Sequence, residues 1–108
     1  MKMNKKRKIN PKFTLLNNFK SRNIMHYVYV LQSNKDKKFY VGYTKDLKLR
    51  FEQHQKGQVE STKNRRPLKL IYYEACITQE DATKREKYLK TYHGKMYLKK
   101  RLKSYLTG

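Results

Sequence analysis

The chain has 108 residues, the length of one small domain, and its 28 Lys and Arg residues against 8 Asp and Glu give a formal charge of +20. It contains no apolar stretch as long as a membrane span, which needs about 20 residues. Its single cysteine, Cys76, excludes a disulfide framework. Ten Tyr and four Phe are too many for a disordered basic tail. We therefore expect a folded, cytoplasmic domain with a polyanionic partner, no membrane contact and no disulfide-linked partner.

Residues 1–25 form a predicted basic extension. They contain eight of the 28 Lys and Arg residues and none of the acids, so residues 26–108 keep a net charge of +12. Their one apolar run, residues 13–16, is too short for a secretory signal. The extension is either a disordered arm that binds phosphates or a segment without a role.

Two strands are predicted at the start of the folded part. Residues 27–31 (YVYVL) are β-branched or aromatic on both faces, which is typical of a buried strand. Residues 32–38 are polar and predict a turn. Residues 39–43 (FYVGY) predict a second strand, antiparallel to the first.

Strand alternation assigns the side chains of these strands to two faces. Tyr27 and Tyr29 share one face, and Val28 lies on the other. On the second strand, Tyr40 and Gly42 share a face. A glycine inside a strand weakens it unless another group approaches the backbone closely. Each tyrosine is by itself compatible with simple packing and a hydroxyl in water.

The remaining elements complete an α+β pattern. A first helix is capped by Thr44 or Asp46 and runs to about Lys56, and a polar loop (58–67) and a third strand (68–75) follow it. A second helix runs from Thr78 to about His93, where Gly94 ends it. A last helix runs from Lys95 to about Leu106. The order β-β-α-β-α-α predicts a small three-stranded, mostly antiparallel sheet flanked by helices.

The first predicted helix has polar groups on its apolar stripe. This stripe contains Leu47, Arg50, Phe51 and His54. Because Leu47 and Phe51 define the inward face, Arg50 lies on or beside the face that packs against the sheet. An isolated buried charge is costly, so Arg50 is paired, directed at an anion, or extended until its head reaches water. His54 is also compatible with a packing or capping role.

The second predicted helix has the same anomaly with the opposite charge. Glu86 lies between Ala82 and Leu89 on one helical face, and no other acid has that setting. Either Glu86 forms an internal ion pair with Arg50 or a lysine, or its carboxylate is reserved for a hard divalent cation. A protein this basic would otherwise repel such a cation.

These residues together form a known motif set. In chain order it consists of Tyr27-Val28-Tyr29, Tyr40-Val41-Gly42, Arg50, His54 and Glu86. Their order and spacing resemble the GIY-YIG nuclease family, and residues 26–106 resemble its small stand-alone members. One departure is that Tyr27 stands where the first glycine of the motif usually lies.

The resemblance implies a divalent-metal phosphodiesterase that acts on DNA. Glu86 would be the protein ligand of Mg²⁺ or Mn²⁺, and Tyr29 would orient or deprotonate the attacking water. Tyr40 would hold the phosphate or water network, and Arg50 would bind the scissile phosphate. His54 would relay protons or position Tyr29. A phenol with a pKa of about 10 is a poor base at pH 7, so the metal and Arg50 would have to lower the pKa of Tyr29.

Further basic residues are candidates for gripping the DNA backbone. They are Lys63, Arg65, Arg66, Lys95, Lys99 and Lys100. Phosphate contacts position a duplex without reading its bases, so we expect weak sequence preference and a possible selectivity for DNA structure, as in repair or recombination. The alternatives are a non-catalytic DNA- or RNA-binding module that retains the fold, and a partner protein that docks on ribosomes or a repair complex through charge.

Overall fold

The computed structural model describes residues 25–108. The predicted extension over residues 1–25 therefore lies outside the described residues, apart from Met25. The elements are β1 (His26–Ser33), β2 (Phe39–Thr44), α1 (Leu47–Gln55), a 3-10 turn (Lys63–Arg65), β3 (Leu68–Cys76), α2 (Gln79–Leu89), α3 (Tyr92–Arg101) and α4 (Lys103–Thr107). This confirms the predicted α+β order, with one additional helix at the end of the chain.

The sheet has three strands in the order β2-β1-β3, and both pairings are antiparallel. The central strand places Tyr29 opposite Gly42 on β2 and opposite Tyr73 on β3. The register with β3 shifts between Val30 and Leu31. The prediction of a small antiparallel sheet is confirmed, and the strand with the strongest apolar pattern lies at its centre because it is buried on both faces.

Each face of the sheet has its own apolar layer. One layer, which we call the α1 face, contains Tyr29, Leu31 and Leu68 with Tyr40, Leu47, Phe51 and Leu70 packed against them. The other, which we call the α2 face, contains Val28, Val30, Val41, Ala82, Leu89 and Leu98. The predicted alternation along β1 and β2 is therefore confirmed, and Val28 and Val41 are core residues of the α2 face.

Helix α1 begins and ends where its sequence predicts. The Asp46 side chain accepts a hydrogen bond from the backbone N–H of Leu49, so Asp46 is the N-cap. Lys56 is the C-cap. Gly57 follows with φ of +76°, a left-handed conformation that favours glycine at this position.

The boundary between α2 and α3 differs from the prediction. Helix α2 ends at Leu89, and Gly94 lies inside α3 rather than ending a helix. The Thr91 side chain caps α3 by accepting from the backbone N–H of Gly94. A Cβ at Gly94 would overlap the carbonyl oxygen of Tyr88, so the glycine allows α3 to turn closely against the end of α2.

The last predicted helix is divided at Leu102, which is the C-cap of α3 and precedes α4. Helix α3 also begins at Tyr92, three residues before the predicted start. Leu98 is fully buried against the sheet, which explains the apolar spacing that predicted a helix here. Within residues 25–108, every helix is too short or too polar to span a bilayer.

A polar cluster joins β3 to α2 on the α2 face. The Arg85 guanidinium donates two hydrogen bonds of 2.9 Å to the Glu74 carboxylate. The Tyr72 hydroxyl donates a third, of 2.6 Å, to the same carboxylate. Arg85 also lies 4.8 Å from the ring centre of Tyr97 and 5.2 Å from that of Tyr88. Cys76 ends β3 as a free, half-buried thiol.

Candidate active site

A buried chain of three hydrogen-bonded side chains crosses the α1 face. The Tyr29 hydroxyl lies 2.8 Å from Nε2 of His54, and Nδ1 of His54 lies 2.7 Å from the Thr62 hydroxyl. The exposed fractions of Tyr29, His54 and Thr62 are 1%, 0% and 0%. The chain therefore links the central strand, α1 and the loop before β3.

Burial decides the charge of His54. Desolvation, followed by the nearby Arg50 charge, lowers the pKa of His54 to about 4. The imidazole is therefore neutral at pH 7, so one ring nitrogen donates a proton and the other accepts one. If Nδ1 donates to Thr62, Nε2 is free to accept the proton of the Tyr29 hydroxyl.

Burial also dominates the pKa of Tyr29. Desolvation raises this pKa to about 12, and Tyr40 adds to the rise, although the nearby Arg50 guanidinium acts in the opposite direction. The protein surroundings by themselves therefore raise the pKa of Tyr29, whereas the family resemblance implies a lowered pKa. At neutral pH Tyr29 is a protonated phenol that can donate to His54 while its oxygen accepts from another group.

Arg50 has a neutral partner. Its Nη1 donates a hydrogen bond of 3.0 Å to the side-chain oxygen of Gln53, three residues along α1. Among the described residues Arg50 makes no ion pair. Arg50 is half-buried as a residue, and its guanidinium charge, which no carboxylate compensates, is available to an anion.

Gly42 makes room for the Tyr29 hydroxyl. A Cβ built at Gly42 would lie 2.5 Å from that oxygen and 2.6 Å from the ring carbon that bears it. Any larger residue would displace the phenol from His54. The close approach predicted from a glycine inside a strand is therefore observed.

Tyr40 completes the aromatic part of the site. Its ring centre lies 5.1 Å from the His54 ring and 6.2 Å from the Tyr29 ring. Tyr40 is half-buried on the edge strand β2. It lines a cavity of about 220 Å³ together with Lys90 and Lys95. Two lysines from the region where α2 ends and α3 begins therefore lie near Tyr40 at the edge of the sheet.

Glu86 belongs to α2, which packs on the opposite face of the sheet. Its carboxylate is half-buried and accepts a bond of 3.1 Å from Lys90, which is the lysine pair foreseen as one alternative. Lys90 also lines the cavity beside Tyr40. The structure thus groups Tyr29, Tyr40, Arg50 and His54 on the α1 face, whereas Glu86 lies on α2 and pairs with Lys90, which lines the cavity beside Tyr40.

The donor set at Glu86 fits a magnesium ion. Among residues 25–108, no three or more His, Cys, Asp or Glu side chains gather into a metal-binding group. A single carboxylate is nevertheless sufficient for Mg²⁺, because Mg²⁺ usually keeps several waters and adds phosphate oxygens of the substrate. Glu86 would supply that one hard oxygen ligand, and carboxylate and water oxygens also suit Mn²⁺.

Four of the six predicted backbone-gripping residues line two cavities. Lys63 and Arg66 line a cavity of about 540 Å³ with Lys35. Lys95 and Lys99 line another, of about 460 Å³, with Lys37, Lys38 and Phe39. Lys100 is exposed on α3 outside both cavities. Arg65 lies 3.6 Å from the Asp36 carboxylate, and Lys63 pairs with Glu60 at 3.2 Å, so these two charges are partly compensated.

Two positioning residues were missed by sequence reasoning. Thr62 belongs to a polar loop with no periodic pattern, and nothing in the local sequence shows that it is buried. Gln53 offered a signal, since it lies three residues after Arg50 on a predicted helix, where side chains are neighbours.

Comparison with known protein families places these residues in context. Residues 25–101 match the GIY-YIG catalytic domain. The chain belongs to the GIY-YIG family. Both predicted motif tripeptides, Tyr27–Tyr29 and Tyr40–Gly42, fall within the matched range and lie on neighbouring strands. GIY-YIG proteins form a nuclease family whose members typically use divalent metals.

Similar proteins occur in Staphylococcus aureus. The UPF0213 protein of strain Mu3 (ATCC 700698) is 44% identical over 68 residues, which cover 62% of this chain and 82% of the relative. The UPF0213 proteins of strains N315 and MW2 have the same identity and coverage. No solved structure matches the chain. Because the match spans most of each relative, this chain resembles a group of small single-domain GIY-YIG proteins.

Proposed function

We propose that residues 26–108 form a divalent-metal-dependent DNA endonuclease that hydrolyses phosphodiester bonds. The observation that carries this proposal is the buried Tyr29–His54 hydrogen bond beside an arginine without a carboxylate partner. A core built only for stability would avoid this arrangement, because buried polar groups and uncompensated charges are costly. A phosphate bound at Arg50 would remove that cost.

Arg50 binds the scissile phosphate in this proposal. The planar guanidinium donates parallel hydrogen bonds that match phosphate oxygens. Gln53 holds the guanidinium at Nη1, so it is oriented before the substrate arrives. Charge that develops on the phosphoryl oxygens in the transition state is stabilised without reorganisation of the protein.

Tyr29 and His54 handle the proton of the attacking water. A water that donates to the Tyr29 oxygen can pass its proton there while the phenol proton moves to Nε2 of His54. Thr62 holds the His54 ring in the orientation this relay requires. Arg50 contributes to lowering the pKa of His54, and a phosphate anion on Arg50 would offset that effect and favour proton uptake by His54.

Glu86 holds the metal in this proposal. A bound Mg²⁺ or Mn²⁺ would acidify water and support the leaving oxygen. Lys90 neutralises the Glu86 carboxylate in the protein alone, and it would be free to contact DNA once a cation takes its place.

The basic side chains around the site supply DNA contacts that do not read sequence. Lys90 and Lys95 lie at the cavity beside Tyr40, and Lys99 extends this surface along α3. Lys63 and Arg66 form the second basic group. Because phosphate contacts carry no sequence information, we propose weak sequence preference, with selectivity for DNA structure of the kind that repair or recombination requires.

Nicking of supercoiled plasmid and branched DNA in Mg²⁺ or Mn²⁺ tests the proposal. We expect Arg50→Ala and Glu86→Ala to reduce cleavage by about 10²–10³-fold. Glu80→Ala is the matched control, because Glu80 forms the same kind of pair with Lys84 on the same helix and should leave cleavage unchanged. Wild-type protein that cuts no faster than Arg50→Ala and Glu86→Ala would contradict the enzyme assignment.

A second candidate is a non-catalytic DNA- or RNA-binding module. The pairing of Glu86 with Lys90 favours it, because this carboxylate is already compensated. The module would bind nucleic acid equally well with and without divalent metal, and Glu86→Ala would not weaken that binding. Cleavage that depends on both Glu86 and metal would exclude it.

A further inference from the structure

A cleft on the α1 face lies beside the candidate active site and belongs to none of the roles assigned above. It has a volume of about 580 Å³ and is lined by Tyr27, Lys45, Asp46, Leu47, Lys48, Phe51, Leu70 and Tyr73. We call it the tyrosine cleft. Its volume lies within the range of small-molecule sites, about 300–1,000 Å³.

Two tyrosine rings form one wall of the tyrosine cleft. Tyr73 is 53% exposed, and its ring centre lies 6.0 Å from that of Tyr27 in an edge-to-face arrangement. An exposed aromatic face is costly in water, and it is the surface on which nucleobases stack. Tyr27 occupies the motif position where glycine is usual, so a glycine there would remove half of this wall.

Lysines line the mouth of the tyrosine cleft. Lys45 and Lys48 are exposed, and neither takes part in an ion pair among residues 25–108. Asp46 lies between them, but its carboxylate is engaged by the backbone N–H of Leu49 at the start of α1. The cleft therefore combines an aromatic wall, formed by the two tyrosines, with the positive charge of two lysines.

The tyrosine cleft is close to the proposed reaction centre. Tyr73 pairs directly with Tyr29 across β1 and β3, so both side chains lie on the α1 face. Tyr27 is two residues before Tyr29 on β1, which separates the two positions by about 7 Å. A DNA strand with its phosphate at Arg50 can thus present a neighbouring nucleotide to the cleft.

We propose that the tyrosine cleft binds one unpaired nucleobase of the DNA substrate, stacked on the exposed ring of Tyr73 with its edge against Tyr27, while Lys45 and Lys48 contact its backbone phosphates. The proposal rests on the proposed nuclease function and defines the substrate as DNA with an unpaired nucleotide beside the cleaved bond. A base within a duplex cannot enter the cleft without leaving its stack, which costs free energy. Flaps, branches and mismatches offer such a base at little cost.

Binding of DNA to the full chain in EDTA separates recognition from cleavage. We compare a duplex carrying a short single-stranded flap with a fully paired duplex of the same length, using 2-aminopurine in the flap as a stacking reporter. We expect tighter binding of the flap by wild type, with quenched 2-aminopurine fluorescence. Tyr73→Ala should weaken flap binding about tenfold and leave duplex binding unchanged.

Four further comparisons make this test specific. Tyr73→Phe keeps the ring and should retain wild-type binding. Tyr92→Ala removes a 72% exposed tyrosine on α3 and should change neither affinity. Abasic nucleotides in the flap should weaken wild-type binding by the same factor as Tyr73→Ala, and should abolish the effect of that substitution. The double variant Lys45→Ala with Lys48→Ala, which changes only exposed side chains, should lower the salt dependence of flap binding.

Other outcomes would overturn the proposal. If Tyr73→Ala weakened binding of the flap and of the duplex equally, Tyr73 would be a general DNA contact. If it weakened neither, no base would bind in the tyrosine cleft. A change in the oligomeric state of the free protein with Tyr73→Ala would assign the cleft to a second copy of the chain. Cleavage that is equally fast on DNA with and without an unpaired base would overturn the proposed role of the tyrosine cleft but not the nuclease function. Binding of an unpaired base without any cleavage would overturn only the nuclease function.

Discussion

Arg50 and Arg85 lie on opposite faces of one sheet, and each is close to buried or half-buried tyrosines. On the α2 face, Arg85 donates two bonds of 2.9 Å to the Glu74 carboxylate. On the α1 face, Arg50 donates one bond of 3.0 Å to the neutral amide of Gln53. The charge of Arg85 is compensated by a carboxylate, whereas Gln53 orients the guanidinium of Arg50 without compensating its charge.

Charge compensation distinguishes the structural cluster on the α2 face from the candidate active site on the α1 face. Burial opposes ionisation of Glu74, but hydrogen bonds from Arg85 and Tyr72 outweigh it and lower the pKa of this carboxyl. The same contact raises the pKa of Arg85. Both groups remain charged and neutralise each other. Arg50 instead keeps an unmatched charge beside a neutral imidazole, which is an arrangement that an anionic substrate completes.

Removal of each guanidinium gives the largest expected effects. Arg50→Ala should reduce cleavage about 10²–10³-fold with little change in the free energy of unfolding. Arg85→Ala should lower that free energy by about 2 kcal/mol, because it leaves Glu74 partly buried without its counter-ion. We discount the value for fully buried pairs because the two side chains are 30% and 24% exposed.

Plasmid nicking and urea unfolding measure these two effects separately. The Arg85→Ala variant should cleave at nearly the wild-type rate at temperatures where it remains folded. A loss of cleavage in folded Arg85→Ala as large as that in Arg50→Ala would abolish the distinction between the two faces.

Acid should destabilise the two faces in different pH ranges. The folded-state pKa of His54 is about 4 against about 6.5 in unfolded chains, so the unfolded state binds the proton first as the pH falls. Stability should therefore decrease between about pH 6.5 and pH 4, by at most about 3 kcal/mol. The lowered pKa of Glu74 makes its contribution decline only below the ordinary carboxyl pKa of about 4.3.

Urea unfolding at a series of pH values measures this profile. His54→Gln should flatten the decline between pH 6.5 and pH 4, and His93→Gln, which changes an exposed histidine on α3, should leave it intact. An unchanged slope in His54→Gln would show that His54 already titrates normally in the folded protein.

The hydroxyl of Thr62 should matter more than its shape. Thr62→Val keeps the volume but leaves Nδ1 of His54 without a partner in a fully buried position. We expect a loss of about 2 kcal/mol in the free energy of unfolding, together with slower cleavage. Thr62→Ser retains the hydroxyl and should recover most of both losses; equal losses in the Ser and Val variants would point to packing instead.

A single substitution can make the α1 face resemble the α2 face. Gln53→Glu would give Arg50 a carboxylate partner, as Glu74 gives Arg85. A partly exposed pair of this kind contributes up to about 1 kcal/mol, so we expect DNA binding to weaken by up to about fivefold without loss of stability. Gln79→Glu on α2 is the control for added negative charge, and an equal effect of both variants on binding would contradict the proposed compensation.

Periodic patterns in the sequence predicted the parts of the site that regular elements carry. Alternation predicted that Tyr27 and Tyr29 share a face of β1 and that Tyr40 and Gly42 share a face of β2, and the structure brings Tyr29, Tyr40 and Gly42 together on the α1 face. The helical stripe predicted Arg50 and His54 beside that face, which the hydrogen bond between His54 and Tyr29 confirms for His54.

Irregular positions were predicted poorly because their roles depend on distant contacts. Gly94 was expected to end a helix, yet it lies within α3, where its missing side chain accommodates Tyr88 of α2. Arg65 was considered only as a DNA contact, but Asp36 in the first turn is its neighbour. These relations join segments that are separate in the sequence, so no local pattern reveals them.

The α+β order and the two faces of the sheet could be predicted from the sequence because both follow from local periodicity, and the motif residues that resemble the family could be recognised from their order and spacing. Which charges are compensated depends on tertiary contacts. Burial makes His54 neutral and raises the pKa of Tyr29, and packing gives Glu74 to Arg85 while leaving Arg50 with an amide. Desolvation and pairing depend on what surrounds a group in space, which is the property that composition and order along the chain do not contain.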